Sequence, residues 1–421
     1  MNQRAPHPHR PPKRSGATRG TRVILSTTAI LDALGIGLVM PVLPALLAGH
    51  VSAAHIPVLT GALTALYAIT QLFFAPLLGV LSDRFGRRRV LLASLLGASL
   101  DAVIMACSPV LWVLFLGRAV AGVTGATGAV LGSAVADTTP AEQRARAYGV
   151  LGACAGAGMI AGPALGGLLG SISATAPFWG TAILNAAAFS LALITLKETR
   201  PMGKGTQEIE NTRAAFSLRS ALRWVRQTPQ LGTLVLLYTV LQLIGHLPGS
   251  LWVLFTVHRY EWSSAQIGLS LAAFGLTQVL AQGALTGRLT GALGERGTIL
   301  LAAAADALGF AALALVPASW IALPILLLAL GGVGTPALHS LISRAVDPTE
   351  QGRANGILTG ASSLSGILGP LTFTACYAAM LPFGDGWVWV IGILLYLASL
   401  PVLFRIPLPA TLPASGGPHP V

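Results

Sequence analysis

Charge is scarce in this sequence. Asp, Glu, Lys and Arg make up only 10% of its 421 residues, against roughly 25% in soluble domains, and acids are fewest, with 14 Asp and Glu against 26 Lys and Arg. That scarcity, with 54% hydrophobic residues and a mean hydropathy of +0.73, excludes a soluble globular chain and reads as an integral membrane protein. Cysteine is equally sparse. Cys107, Cys154 and Cys376 all fall in apolar stretches without metal-ligand spacing, which leaves no disulfide framework and reads them as small packing residues. No paired nucleophile and base and no phosphate-binding loop after a strand is present, so an enzyme is not expected. The formal net charge of +12 does not point to nucleic acid, because the cations sit at the ends of apolar stretches.

What is abundant is apolar sequence in windows of helix-crossing length. Spans are expected at 23-47, 58-80, 88-108, 110-134, 147-170, 176-196, 231-255, 264-288, 297-316, 319-342, 355-380 and 387-404. The first of these is too long for a signal-peptide core and is read as a retained span. With the N-terminus inside, 24 of the 26 Lys and Arg fall in inner loops and tails. Arg259 falls outside and Arg118 falls within the membrane. A wrong span count would scramble that parity, so twelve transmembrane helices with both termini cytoplasmic are expected. The parts are then a disordered, Pro-, Arg- and His-rich cytoplasmic tail at 1-22, a six-helix half at 23-196, a charged cytoplasmic connection at 197-230, a second six-helix half at 231-405 and a cytoplasmic tail at 406-421.

The halves share sequence. The short basic turn from Gly79 to Leu92, with Arg84, Arg87, Arg88 and Arg89, recurs in weaker form from Gly287 to Arg296, 208 positions later. Gly79, Leu81, Ser82, Gly86 and Arg88 meet Gly287, Leu289, Thr290, Gly294 and Arg296. Pro140, Glu142 and Gln143 match Pro348, Glu350 and Gln351 at the same offset, and Arg146, Gly149, Gly162 and Pro163 match Arg353, Gly356, Gly369 and Pro370 at 207. An all-α fold of two pseudo-symmetric six-helix halves, with substrate handled near the midplane between them, is transporter architecture.

Polar groups inside the spans carry the functional information, since an ionised carboxylate at a helix centre costs about 2.5 to 3.5 kcal/mol on insertion scales. Asp32 lies in the first helix, Asp101 in the third and Asp306 in the ninth. Each is either a structural carboxylate satisfied by a neighbouring helix or a group that takes and releases a proton, a role that desolvation of the charged form suits. Arg118 is the intramembrane cation, holding helices together as an ion pair or taking part in proton transfer. Gln71, Asn185, Gln242, His246, Gln278 and Gln282 are interhelical hydrogen-bonding groups one by one; together with the acids they could line a polar central cavity.

Two further stretches are candidates for moving parts. Gly152, Gly156, Gly158, Gly162, Pro163, Gly166 and Gly167 give the fifth helix a smooth, bent groove for a neighbouring helix, which is plain packing unless that seam is what opens and closes. In the basic turn, Gly79, Asp83 and Gly86 are not needed for topology, so Asp83, Arg84, Arg87 and Arg88 are read as a latch that holds two helix ends together in one conformation. Topology alone is the plainer alternative.

Gly79 to Leu92 resembles the loop motif of the major facilitator superfamily, and Arg118 to Gly128 its fourth-helix motif. Gly158 to Gly167 resembles the fifth-helix signature of the drug/proton antiporters. The stretches Leu31 to Pro44, Gly97 to Asp101, Gly122 to Val130, Ala136 to Thr139, Trp252 to Phe255 and Gly386 to Gly392 are similar to the tetracycline efflux proteins, a likeness running from about residue 22 to residue 405. The resemblance implies export of a tetracycline, as a complex with a divalent cation such as Mg2+, in exchange for protons. It places Asp32 and Asp101 on the substrate and proton path, Asp306 in coupling, Gln71 at the cavity, and Asp83, Arg87 and Arg118 at positions important for transport. Where family members carry a histidine in the eighth helix this chain has Gln278, which holds no titrating proton.

The expectation is therefore a proton-driven exporter in the bacterial plasma membrane, a monomer, with no cofactor of its own and no nucleic-acid partner. Its partners are a small-molecule drug, protons and the lipid bilayer. The rival readings are an exporter of another drug or polyketide, and a transporter-shaped sensor that moves nothing.

Overall fold

A computed structural model describes residues 19–198, 223–224, 229–347 and 350–405. The tails expected at 1-22 and 406-421 and the connection expected at 197-230 lie mostly outside the described residues, although residues 19–22 already form the first turn of a helix.

Eleven helical stretches among the described residues are long and apolar enough to cross a membrane. One of them, Ser264–Leu315, has 52 residues, far too many for one crossing at about 1.5 Å per residue. It reverses at Gly294, whose φ of 70° lies in the left-handed region open to glycine, so it supplies the eighth and ninth spans. Twelve spans result, as expected. The second span is Ile56–Phe85, the third Arg87–Cys107, the fifth Ala141–Gly170, the sixth Ala176–Thr195, the seventh Pro229–Tyr260, the eleventh Gln351–Met380 and the twelfth Trp387–Arg405.

Three spans are broken. The first runs as Arg19–Val39 and resumes as Leu43–Ala48, because Pro41 cannot donate to the helical ladder and Pro44 suits the first turn of a new segment. The fourth runs as Leu111–Thr124 and Thr127–Thr138, parting at Gly125, and the tenth as Ala322–Gly331 and Gly334–Arg344. Helices also run past the apolar windows at the end of the molecule that bears the termini, for example over 141–146 and 351–354, since a helix that has left the hydrocarbon no longer needs apolar side chains.

The internal repeat is visible as geometry. Gly86, between the second and third spans, has φ 97°; its counterpart Gly294 has φ 70°. The halves meet along two seams, the fifth span on the eighth and the eleventh on the second. Gly61 lies so near the carbonyl of Pro370 that a Cβ would come within 2.7 Å of its oxygen, and Gly268 stands in the same relation to Pro163. Both contacts lie toward the end remote from the termini. At the other end the seams part: a Cβ on Gly79, Gly152, Gly283 or Gly360 would meet nothing within 4 Å. The molecule is closed at one end of the seam and open at the end where the described residues begin, at Arg19, and finish, at Arg405.

Candidate functional site

Between the halves lies a cavity of about 700 Å³, within the range of pockets that enclose drug-sized molecules. The N-terminal half lines it with Asp32, Tyr67, Gln71, Asp101, Arg118 and Asn185. The C-terminal half contributes His246, Ser250, Pro370 and Thr374 among others.

The broken fourth span organises the polar wall. Its interruption frees the carbonyl of Gly125, and Gln71 donates to that oxygen at 2.9 Å and to the Tyr67 hydroxyl oxygen at 3.0 Å. A carbonyl left without its helical partner is satisfied by a side chain, as buried backbone requires. Thr127, which opens the second segment, faces Asp32. Asp32 is only partly buried, so its carboxyl is presented to the cavity.

Asp101 is buried, with 5% of its surface exposed, and its Oδ2 accepts from the guanidinium of Arg118. Its Oδ1 and the Nε of Arg118 have no hydrogen-bond partner, so the pair is satisfied on one edge only. A buried ion pair held by one contact is easier to separate than a bidentate one. Of the two roles weighed for Arg118, the contact itself is an interhelical ion pair, and it lies on the wall of the cavity.

Asp306 and Gln278 are not in this space. They line a separate cavity of about 110 Å³ inside the C-terminal half, together with Gln242, Thr335 and Tyr396. The Tyr396 hydroxyl donates to Asp306 Oδ2. The central opening expected to gather all three acids thus gathers Asp32 and Asp101. The side chain of Asp306 points into its own half because the tenth span packs against the ninth there, with Gly331 beside its carboxyl. Gln282 donates to the carbonyl of Gly332 at 3.1 Å, satisfying the break in the tenth span as Gln71 does in the fourth.

The glycine groove of the fifth span proves to be a contact inside one half. Gly158, Gly162 and Gly166 admit the first span, the one that carries Asp32, with the Leu34 carbonyl 2.8 Å from where a Cβ on Gly162 would sit. The seam between halves is faced by Pro163 and by Gly167, which packs on Gly268.

The basic turn is a knot of charges. Arg87, 7% exposed, pairs with Asp83 at 2.6 Å and with Asp137 at 2.9 Å, donates to the Ser82 hydroxyl, and offers its backbone N–H to Glu198 at 2.8 Å. Arg88 donates to the Leu193 carbonyl at 2.5 Å near the end of the sixth span, and Arg84 lies over the ring of Phe85. Ser82, Asp83, Asp137 and Leu193 belong to the N-terminal half, and Glu198 directly follows its last span. Gly86 has to be glycine, both for its φ and because the Glu198 carboxylate occupies the place of a Cβ; Gly79 stands in open space.

The sequence pattern gives no role of their own to Tyr67, Thr127, Asp137, Glu198 or Tyr396. Tyr67 stands four residues before Gln71 on one helix face, which is a readable signal. Tyr396 is 90 residues from Asp306, and only the packing of the spans brings them together.

A family model described as Major Facilitator Superfamily matches residues 25–260 and 234–420. The chain is 51% identical to the tetracycline resistance protein, class G, of Vibrio anguillarum over 390 residues, 92% of this chain and 98% of that protein. It is 49% identical to the tetracycline resistance protein, class C, of Escherichia coli, over 91% of this chain and 96% of that one. Among solved structures, the human organic anion transporter MFSD10 (TETRAN) superposes with a TM-score of 0.65 at 23% identity, covering 94% of this chain and all of that one, a likeness of fold.

Proposed function

This chain belongs to the Major Facilitator Superfamily and, within it, to the tetracycline resistance proteins, and on that premise we propose that it exports a tetracycline from the cytoplasm in exchange for protons and so confers resistance. The observation that carries this reading is the drug-sized cavity between the halves, with two carboxyl groups on its wall and an opening at one end only. The positive-inside distribution of Lys and Arg supports a cytoplasmic side for that open end, which makes the state described the one that loads drug. The protein is a monomer in the bacterial plasma membrane, with both termini inside.

The cargo enters as a complex with a divalent cation such as Mg2+, a net cation drawn to Asp32 and Asp101. Gln71 and Tyr67 supply polar contacts beside them. Once the seam opens at the far side, a proton arriving at either carboxylate removes the charge that held the cargo. Arg118 steadies Asp101 while it is ionised and competes with the cargo for it. Asp306 binds and releases the coupled proton in a space too small for drug. When the halves close on the inner side, Asp83, Arg84 and Arg88, held in place by the buried Arg87, present one preassembled surface to the opposite half, as a latch.

Everted membrane vesicles energised by a pH gradient test the reading. Labelled tetracycline accumulates in wild-type vesicles, more so with Mg2+, and Asp32→Asn vesicles holding equal protein take up none above background. Gradient-driven uptake of another drug with no uptake of tetracycline would refute the substrate.

A further inference from the structure

The seventh span carries Tyr238, Gln242 and His246 at four-residue intervals, one polar stripe along one helix face. Each borders a different space. His246 lines the central cavity, Gln242 the chamber of Asp306, and Tyr238 a third, polar pocket of about 300 Å³ shared with His339, Asn355, Thr359 and Ser362. Between the second and third spaces, Gln242 of the one wall donates from Nε2 to Ser362 Oγ of the other at 3.0 Å. Ser362 also faces the Tyr238 hydroxyl. At the mouth of the third pocket Asn355 and Thr359 are exposed. They lie on the face of the eleventh span that, further along, meets the second span through Pro370 and Thr374. The pocket therefore opens into the gap between the halves at the end where Arg19 and Arg405 lie, apart from the central cavity.

We propose that this is the exit route for the coupled proton: Asp306 discharges toward the cytoplasm past Gln242 and Ser362, through water, while drug occupies the central cavity. This rests on the export reading above and adds the residues by which proton and drug are kept in separate chambers. The carboxyl O–H of Asp306 breaks, its proton joins a water in the small chamber, and an excess proton leaves the far side of the file into the inner pocket; the carboxylate keeps the Tyr396 hydroxyl as donor. The chamber has volume for several waters and five polar side chains to hold them. Gln242 serves as a positioning residue, since its amide keeps both sides of the partition wet without holding the proton itself.

Gln242→Leu and Ser362→Val make the partition dry, and proteoliposomes separate the two halves of the cycle. Uptake of labelled tetracycline driven by a pH gradient falls by roughly tenfold or more, the scale of a lost proton-transfer path, while exchange of internal for external tetracycline without a gradient stays within about twofold of wild type. Retained exchange shows that the variants fold, and Gln242→Glu, which keeps a polar end at the partition, restores driven uptake. Unchanged driven uptake in both dry variants overturns the route. So does an equal fall in uptake and exchange, which would make these residues part of the drug path or the fold. Wild-type protein that exchanges tetracycline but takes up none under a gradient would instead sink the proton-coupled reading, and the route with it.

Discussion

The turn between the second and third spans and the turn between the eighth and ninth are one joint built twice with its charges reversed. In the first, Arg87 follows Gly86 and pairs with Asp137 at the end of the fourth span, at 2.9 Å. In the second, Glu295 follows Gly294 and pairs with Arg344 at the end of the tenth span, at 3.0 Å. The glycines and the turn residues are 208 positions apart, the span-end residues 207. What the duplication preserves is a bridge from turn to span end, whichever side carries the positive charge. The basic character of the first turn therefore serves something besides that bridge, such as topology or the display of Asp83. The two joints differ mainly at the span end: the turn side chains Arg87 and Glu295 are 8% and 12% exposed, whereas their partners Asp137 and Arg344 are 27% and 64% exposed, and Arg87 holds more further partners than Glu295, which accepts from Ser340.

That contrast sets the order of expected effects. Arg87→Ala takes their shared cation from Asp83 and Asp137, whose side chains are 35% and 27% exposed, and is expected to cost about 1.5 to 3 kcal/mol, read as a lower thermal midpoint in detergent and loss of tetracycline resistance in cells. Exchanging the pair in the first joint, Arg87→Glu with Asp137→Arg, recovers only part of that loss, because Asp83 and Glu198 would then face a carboxylate at position 87. The same exchange in the second joint, Glu295→Arg with Arg344→Glu, leaves the midpoint unchanged. Equal recovery in the two joints would erase the distinction. Arg344→Ala has the smallest effect, about 1 kcal/mol, because the Arg344 side chain is 64% exposed and Glu295, 12% exposed, keeps the Ser340 hydroxyl as donor.

How much of this was legible beforehand follows from what a linear pattern encodes. Depth in the membrane is encoded directly: apolar windows and the placement of cations were enough for twelve spans, and the 208-residue offset pointed to Gly294 as the partner of Gly86. Azimuth is not encoded where a span is apolar all round. Nothing in the neighbours of Asp306 tells which adjacent span it faces, and so its enclosure with Tyr396, apart from Asp32 and Asp101, emerged only from packing. The fifth-span glycines were legible as a groove, but not the identity of the neighbour, for the same reason. Their spacing promised a groove, but only the fold tells that the first span fills it while Pro163 and Gly167 face the other half. The break at Gly125 was hidden by the apolar window that covers it, although Gln71, which caps it, was already in view.

The central claim is that the two kinds of acid do different work, Asp32 in the drug chamber and Asp306 in the proton chamber. Exchange of labelled for unlabelled tetracycline across proteoliposomes, with no pH gradient, measures drug handling alone. Asp306→Asn is predicted to keep this exchange while losing uptake driven by a gradient, and Asp32→Asn to lose both. Loss of exchange in Asp306→Asn to the same extent as in Asp32→Asn, with both proteins present and folded, would contradict the division.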